Sequence, residues 1–179
     1  YHTYPTDAIR TYTGREDYNE VVRLYKHSGA NPTGLPAATA VSGAALGLAP
    51  GQSRVLLERG QAGCVSAVRM QLTDMKPKHL NSLWLRFSWD GAENPDIYCP
   101  AGAFFGNSLG YNDTRYLLMG STADGWFYNY FPMPFWQSAH ISIENRSDEE
   151  IEVGFFEISL SPNIYAREEA GYFRTTPYY

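Results

Sequence analysis

Leu83-Trp84-Leu85-Arg86-Phe87-Ser88-Trp89-Asp90-Gly91 is the stretch that decides the fold. Leu83, Leu85, Phe87 and Trp89 alternate with Trp84, Arg86 and Ser88, which puts four large apolar side chains on one face of an extended chain. A helix would scatter those four around its circumference, whereas a strand with one buried face uses them all. Asp90-Gly91 then supplies two residues that tolerate left-handed backbone angles, so the strand should end in a tight turn. The same period of two recurs on either side: Val55 and Leu57; Val68, Met70 and Leu72; Ile141 and Ile143. The run from Ile151 to Leu160 starts in one phase (Ile151, Val153, Phe155) and finishes in the other (Phe156, Ile158, Leu160), a slip that a β-bulge near Gly154 would produce. Turn signals at Asn94-Pro95, Asn107 to Gly110, Asp124-Gly125 and Asn145 to Asp148 separate the runs. Together these predict an all-β fold, an antiparallel β-sandwich of jelly-roll type over about Ser53 to Leu160.

Upstream the period changes to that of a helix. Tyr18, Val21, Val22 and Tyr25 fall at i, i+3, i+4 and i+7, one face of a short N-terminal helix over Arg15 to His27, with Thr13 and Glu16 as a capping box. Tyr1 to Tyr12 reads as a short strand-like stretch broken by Pro5, and the Ala/Gly-rich run to Pro50 as a linker. The expected organisation is therefore 1–50 as an N-terminal strand, helix and linker, and 51–179 as the jelly roll with a C-terminal extension. The chain opens on Tyr1 rather than Met, without a signal-type segment, and so reads as a processed product or an excerpt.

Composition narrows the function. The net charge is −5 and no basic block exists, which argues against a nucleic-acid partner. Leu35 to Pro50 is interrupted by Ser and Thr and shorter than the roughly 20 apolar residues of a membrane span, so no membrane partner is expected. Cys64 and Cys99 have neither metal-type nor redox-pair spacing and read as two reduced core thiols that leave the compartment open. His2, His27, His79 and His140 are scattered, giving no metal site and no nucleophile motif; His140, among strand residues, reads as a satisfied, half-buried histidine.

Two clusters bear on carbohydrate chemistry. Glycoside cleavage usually needs two carboxylates flanking the scissile bond, and Asp90, Glu93 and Asp96 lie close together in sequence. Against that, Asp90-Gly91 is a turn signal in its own right, with Glu93 and Asp96 solvated at its rim, and this is the preferred reading. The run Trp126 to Trp136 holds seven aromatic residues. Such rings either stack on sugars or pack in a seam between sheets or subunits, and packing is preferred. Pro132 and Pro134 cannot donate to a ladder, so the segment should follow a sheet edge or leave the sheet. Phe131 and Phe135 are expected inside, Trp126 or Trp136 at the surface beside a subunit or inter-domain contact. The weak substrate-binding candidates are Trp126, Tyr128, Trp136, Asp90 and Glu93.

Several segments also carry a family likeness: Gly60-Gln61-Ala62-Gly63-Cys64-Val65; Leu85 to Gly91 with Pro95 and Pro100; Phe104-Phe105-Gly106; Tyr130 to Phe135; Ile143-Glu144-Asn145; and Gly171-Tyr172-Phe173-Arg174. In this order they resemble glycoside hydrolase family 172, formerly domain of unknown function 2961, over about Ser53 to Arg174. The opening Tyr1 to Pro5 and Ile9 to Tyr12 resemble the segment preceding this region in some longer members. The resemblance implies a bacterial carbohydrate-active enzyme with two jelly rolls per chain, assembled as homotrimers or multiples of them. It implies retaining cleavage of α-linked furanosides of fructose or D-arabinose by two glutamates, without cofactor or metal.

Those glutamates belong to the second jelly roll, around a Gly-Thr-Gly-Thr-Glu-Asp-Tyr motif, and this chain is expected to end before that roll begins. The family's Pro-Leu-Gly-Asp-Phe-Phe-Gly stands here as Pro100-Ala101-Gly102-Ala103-Phe104-Phe105-Gly106, with Ala103 in place of the aspartate. Thr13-Gly14-Arg15-Glu16-Asp17-Tyr18 imitates the catalytic motif but precedes the jelly roll, and Glu16 and Asp17 suit the first turn of a helix. No catalytic residue is therefore assigned. The expectation is a non-catalytic jelly-roll portion of a glycoside hydrolase, scaffolding a site completed by a further domain. The alternative is a carbohydrate-binding or oligomer-assembly module with no enzymatic role.

Overall fold

The alternating runs become strands because each can bury one face only by facing a second sheet. The computed structural model describes residues 12–35 and 39–175. In chain order the elements are α1 (Asn19–Lys26), β1 (Thr39–Leu48), β2 (Ser53–Arg59), β3 (Gly63–Leu72), α2 (Pro77–Ser82), β4 (Leu83–Trp89), β5 (Ile97–Pro100), α3 (Ala101–Phe104), β6 (Met119–Ser121), β7 (Trp126–Asn129), β8 (Met133–Phe135), β9 (Ala139–Asn145) and β10 (Ile151–Ser161). One antiparallel sheet has the order β1-β10-β3-β7-β6, with β8 also paired to β3; the other runs β2-β9-β4-β5. Orders β1-β10-β3-β7 and β2-β9-β4-β5 face to face, with the first four strands alternating between sheets, are the winding of a jelly roll. The strand-like stretch expected over Tyr1 to Tyr12 lies, Tyr12 apart, outside the described residues.

The core forms where the inward faces meet. Leu83, Leu85, Phe87 and Trp89 of β4 lie against Val65, Val68, Met70 and Leu72 of β3, with Ile141, Ile143, Ile151, Val153, Ile158 and Leu160 completing the layer. Trp89 is 1% exposed, stacks on Phe135 at 5.8 Å and 5°, and meets Phe87 edge-on at 5.7 Å. The bulge expected near Gly154 is present: β10 shifts register against β3 between Val153 and Phe155. That extra residue returns Phe156, Ile158 and Leu160 to the core after Ile151 and Val153.

Three local expectations need correction. The Ala/Gly-rich stretch read as linker forms β1, antiparallel to β10 from Thr39 opposite Leu160 to Leu48 opposite Ile151, so the sandwich begins before residue 50. At Gly43 a β-carbon would collide with the Phe156 ring, which is why small residues stand there. The helix is outside the sandwich as expected but starts at Asn19, and it buries no residue. Glu16 Oε1 accepts the Thr13 N–H at 2.7 Å, closing a separate turn ahead of the helix rather than capping it. Finally, Val55 does not share a face with Leu57. A register shift in β2 between them leaves Val55 55% exposed while Leu57 is buried.

The proline-bearing part of the aromatic segment follows an edge: among the described residues β8 pairs only with β3, opposite Gly63, Cys64 and Val65, whereas Trp126–Asn129 forms β7 inside the sheet between β3 and β6. Phe135 is fully buried, but Phe131 is half-buried, its ring against Phe173 at 5.6 Å. This chain's own C-terminal segment supplies that cover. Asn163 donates to the Phe135 carbonyl at 3.1 Å, Trp136 Nε1 to that of Tyr165 at 3.2 Å and Trp89 Nε1 to that of Phe173 at 3.0 Å. Cys64 and Cys99 are free and buried, and burial raises both thiol pKa values.

Candidate functional site

Asp90 and Gly91 both have positive φ, 52° and 75°, and the Ala92 N–H returns to the Trp89 carbonyl at 3.0 Å, the turn that Asp-Gly predicts. This left-handed turn aims the Asp90 carboxylate at the start of the next segment. Oδ1 accepts the N–H groups of Trp136, Gln137 and Ser138 at 3.0, 2.7 and 3.0 Å, and Oδ2 accepts the Tyr172 hydroxyl at 2.7 Å. Burial alone would raise the carboxyl pKa, but the hydrogen bonds from Ser138, Gln137, Tyr172 and Trp136 outweigh it and hold it below its ordinary value.

Asp96 is buried rather than solvated at a rim. Oδ2 accepts the Trp89 N–H at 3.0 Å and Oδ1 pairs with Arg174 Nε at 2.8 Å. Glu93 is exposed. Glu16 is also exposed, and the Thr13 backbone N–H leads the contacts that pull its pKa down to about 2. A general acid in glycoside cleavage needs a raised pKa. Asp90 and Glu16 are shifted the opposite way.

The aromatic candidates do not share one site. Trp126 is half-buried on the outward face of the larger sheet, with the Arg69 guanidinium 4.4 Å from its ring centroid and Phe155 edge-on at 5.4 Å. Tyr128 was expected as a possible sugar contact, yet it is buried, stacked on Tyr130 at 4.8 Å with its hydroxyl donating to the Tyr116 carbonyl. It presents no face to solvent, because Tyr130 and Leu118 close over it. Trp136 is half-buried and meets Tyr172 edge-on at 5.2 Å. The depressions around Gly91, Ala92, Glu93 and His140 are lined by neither Trp126 nor Trp136.

The outward face of β2-β9-β4 is organised differently, and sequence reasoning passed over it. Its side chains stand in cross-strand rows, Val55, Ser142 and Arg86 in one and Glu58, His140 and Ser88 in the next. Glu144 accepts the Tyr98 hydroxyl at 3.1 Å, and Arg146 lies 4.5 Å over Trp84. His140, read as satisfied, is half-buried on this face, and its ring makes no hydrogen bond among the described residues. The signal was available in the polar half of each alternating run, which was used only to orient the apolar half.

Among the described residues no three His, Cys, Asp or Glu side chains gather as metal ligands, and no helix is long and apolar enough to cross a membrane. An antiparallel jelly roll with a polar outward sheet face defines the class, a β-sandwich domain. More particularly, the chain belongs to the GH172 domain-like family, which matches residues 38–158, from the start of β1 through most of β10. It is thus a glycoside hydrolase-related domain. No curated protein matches the sequence.

Proposed function

We propose that this chain is the non-catalytic jelly-roll portion of a bacterial glycoside hydrolase acting on α-linked furanosides of fructose or D-arabinose, scaffolding a site that another domain completes. The observation that carries the reading is the fate of Asp90. All its strong hydrogen bonds go to its own chain, where an acid or nucleophile would keep an oxygen for substrate. Asp96 is likewise held by Arg174. Incubated with aryl α-fructofuranoside and aryl α-D-arabinofuranoside, the chain is expected to release no aglycone above the uncatalysed rate. Turnover lost in Glu16→Gln or Glu93→Gln would overturn the reading.

The same proposal includes assembly as a homotrimer or a multiple of it. Tyr18 just before α1 and Val21, Val22 and Tyr25 within it are all exposed, the last 60%, giving an apolar face that none of the described residues covers. Sedimentation equilibrium at tens of micromolar should find a trimer, and Val22→Asp with Tyr25→Asp should shift it toward monomer. Nothing is buried at these positions within the single chain, so the unfolding free energy of the dissociated chain, measured where both proteins are monomeric, should stay within about 0.5 kcal/mol. A wild-type chain that is monomeric throughout refutes the assembly.

A further inference from the structure

We infer that the outward face of the β2-β9-β4 strands is a binding groove for a neutral oligosaccharide, with Arg86 and His140 as its main hydrogen-bonding side chains. The inference deepens the carbohydrate reading above and rests on it. Two depressions of about 370 and 340 Å³ adjoin here and share Ser88, Ala92 and His140. Each is large enough for a small-ligand site, and together they cross three strands from Arg59 and Gly60 to Ser53 and Glu144. Strand-borne side chains give such a floor a fixed geometry.

The chemistry of the lining selects the ligand. The side chains of Glu58, Arg86, Ser88, Glu93, His140 and Ser142 make no hydrogen bond among the described residues, whereas the Asp90 carboxylate nearby accepts from four donors. At one end Arg59 Nε is buried without a partner. Donors and acceptors therefore stand side by side, which suits hydroxyl groups that both give and take a hydrogen bond. Glu58, Glu93 and Glu144 line the same depressions as Arg59 and Arg86, so charges of both signs stand along the groove and neither a polyanion nor a polycation is favoured.

A protein partner would want aromatic anchors at the centre, but the large exposed apolar residue in this groove is Val55 alone. The rings on this face, Trp84 and Tyr98, are half-buried and packed on each other at 4.8 Å, Trp84 under Arg146 and Tyr98 opposite Arg86. Pyranose chairs bind best to a bare aromatic face. With these two rings packed on each other rather than laid open, the groove should prefer puckered furanose rings held by hydrogen bonds.

The test uses the whole chain, ¹⁵N-labelled, titrated with an inulin-type tetrasaccharide of fructofuranose and, separately, with cellotetraose. The furanose probe should shift the amide signals of Ser88, His140 and Ser142 saturably in the millimolar range. Arg86→Ala and His140→Ala should each weaken binding at least tenfold while the thermal midpoint and spectral dispersion stay at wild-type values. No saturable shift on this face with either probe overturns the inference. So do shifts from cellotetraose alone, or signals on this face that move only with protein concentration, which would mark a copy of the chain docking there. Shifts confined to Trp126 or Trp136 would overturn the groove and leave the carbohydrate reading standing. Turnover of aryl furanosides would instead overturn the scaffold reading and leave the groove.

Discussion

Trp89→Ala should lower the unfolding free energy by about 3–5 kcal/mol, the range for deleting a buried large aromatic side chain. The ring sits between Phe135, stacked at 5.8 Å, and Phe87, edge-on at 5.7 Å, and its Nε1 holds the Phe173 carbonyl at 3.0 Å. Truncation therefore opens a cavity between the sheets and also unties the C-terminal segment. Domain stabilities run from about 5 to 15 kcal/mol, so the variant should lose about a fifth or more of its folding free energy. Chemical denaturation gives the number directly. A loss under 1 kcal/mol would show that neighbouring rings repack and that Trp89 does not join the two sheets.

Asp90→Ala ranks next, at about 4 kcal/mol. Removing the carboxylate leaves the N–H groups of Trp136, Gln137 and Ser138 and the Tyr172 hydroxyl without their acceptor, and orphaned donors at a charged acceptor cost about 1–3 kcal/mol each when water does not replace it. The site is only partly buried, so the low end applies to each. Because the folded-state pKa lies below the ordinary 3.8, the carboxylate's contribution is fully present above the unfolded value and is lost as pH falls through the folded one. Wild-type stability should therefore fall with acid below about pH 5, and Asp90→Asn should flatten that fall. Equal acid slopes for the two proteins would refute the linkage.

How much of this the sequence shows depends on whether side-chain contrast survives. β4 and β9 are legible because each apolar residue is flanked by polar ones and both strands keep their register. The Gly154 bulge is legible for the same reason, since an extra residue leaves a visible change of phase. β2 misleads at Val55, where a register shift turns an apolar side chain outward with no change of residue type to mark it. β1 is hidden because a strand of Ala, Gly and Ser has no contrast to read, and its place is set by the Phe156 ring lying over Gly43. The turn at Asp90-Gly91 is legible, but the partners of Asp90 come from residues 136–138 and 172, a long-range fact that no local pattern carries. The groove lies between strands far apart in the chain, and its residues read one by one as ordinary solvated positions.

The pairing of β1 with β10 also governs how the chain matures on the ribosome. Leu48 cannot meet Ile151 until the roughly one hundred residues between them have been made, so β1 waits several seconds as a nascent strand with no neighbour. A long-lived unpaired strand invites intermolecular pairing when it is rich in branched or aromatic residues. The run Thr39-Ala40-Val41-Ser42-Gly43-Ala44-Ala45-Leu46-Gly47-Leu48 has one β-branched aliphatic, two glycines and no aromatic. The plainness that hides this strand from a reader of the sequence also keeps it from sticking to other chains during synthesis.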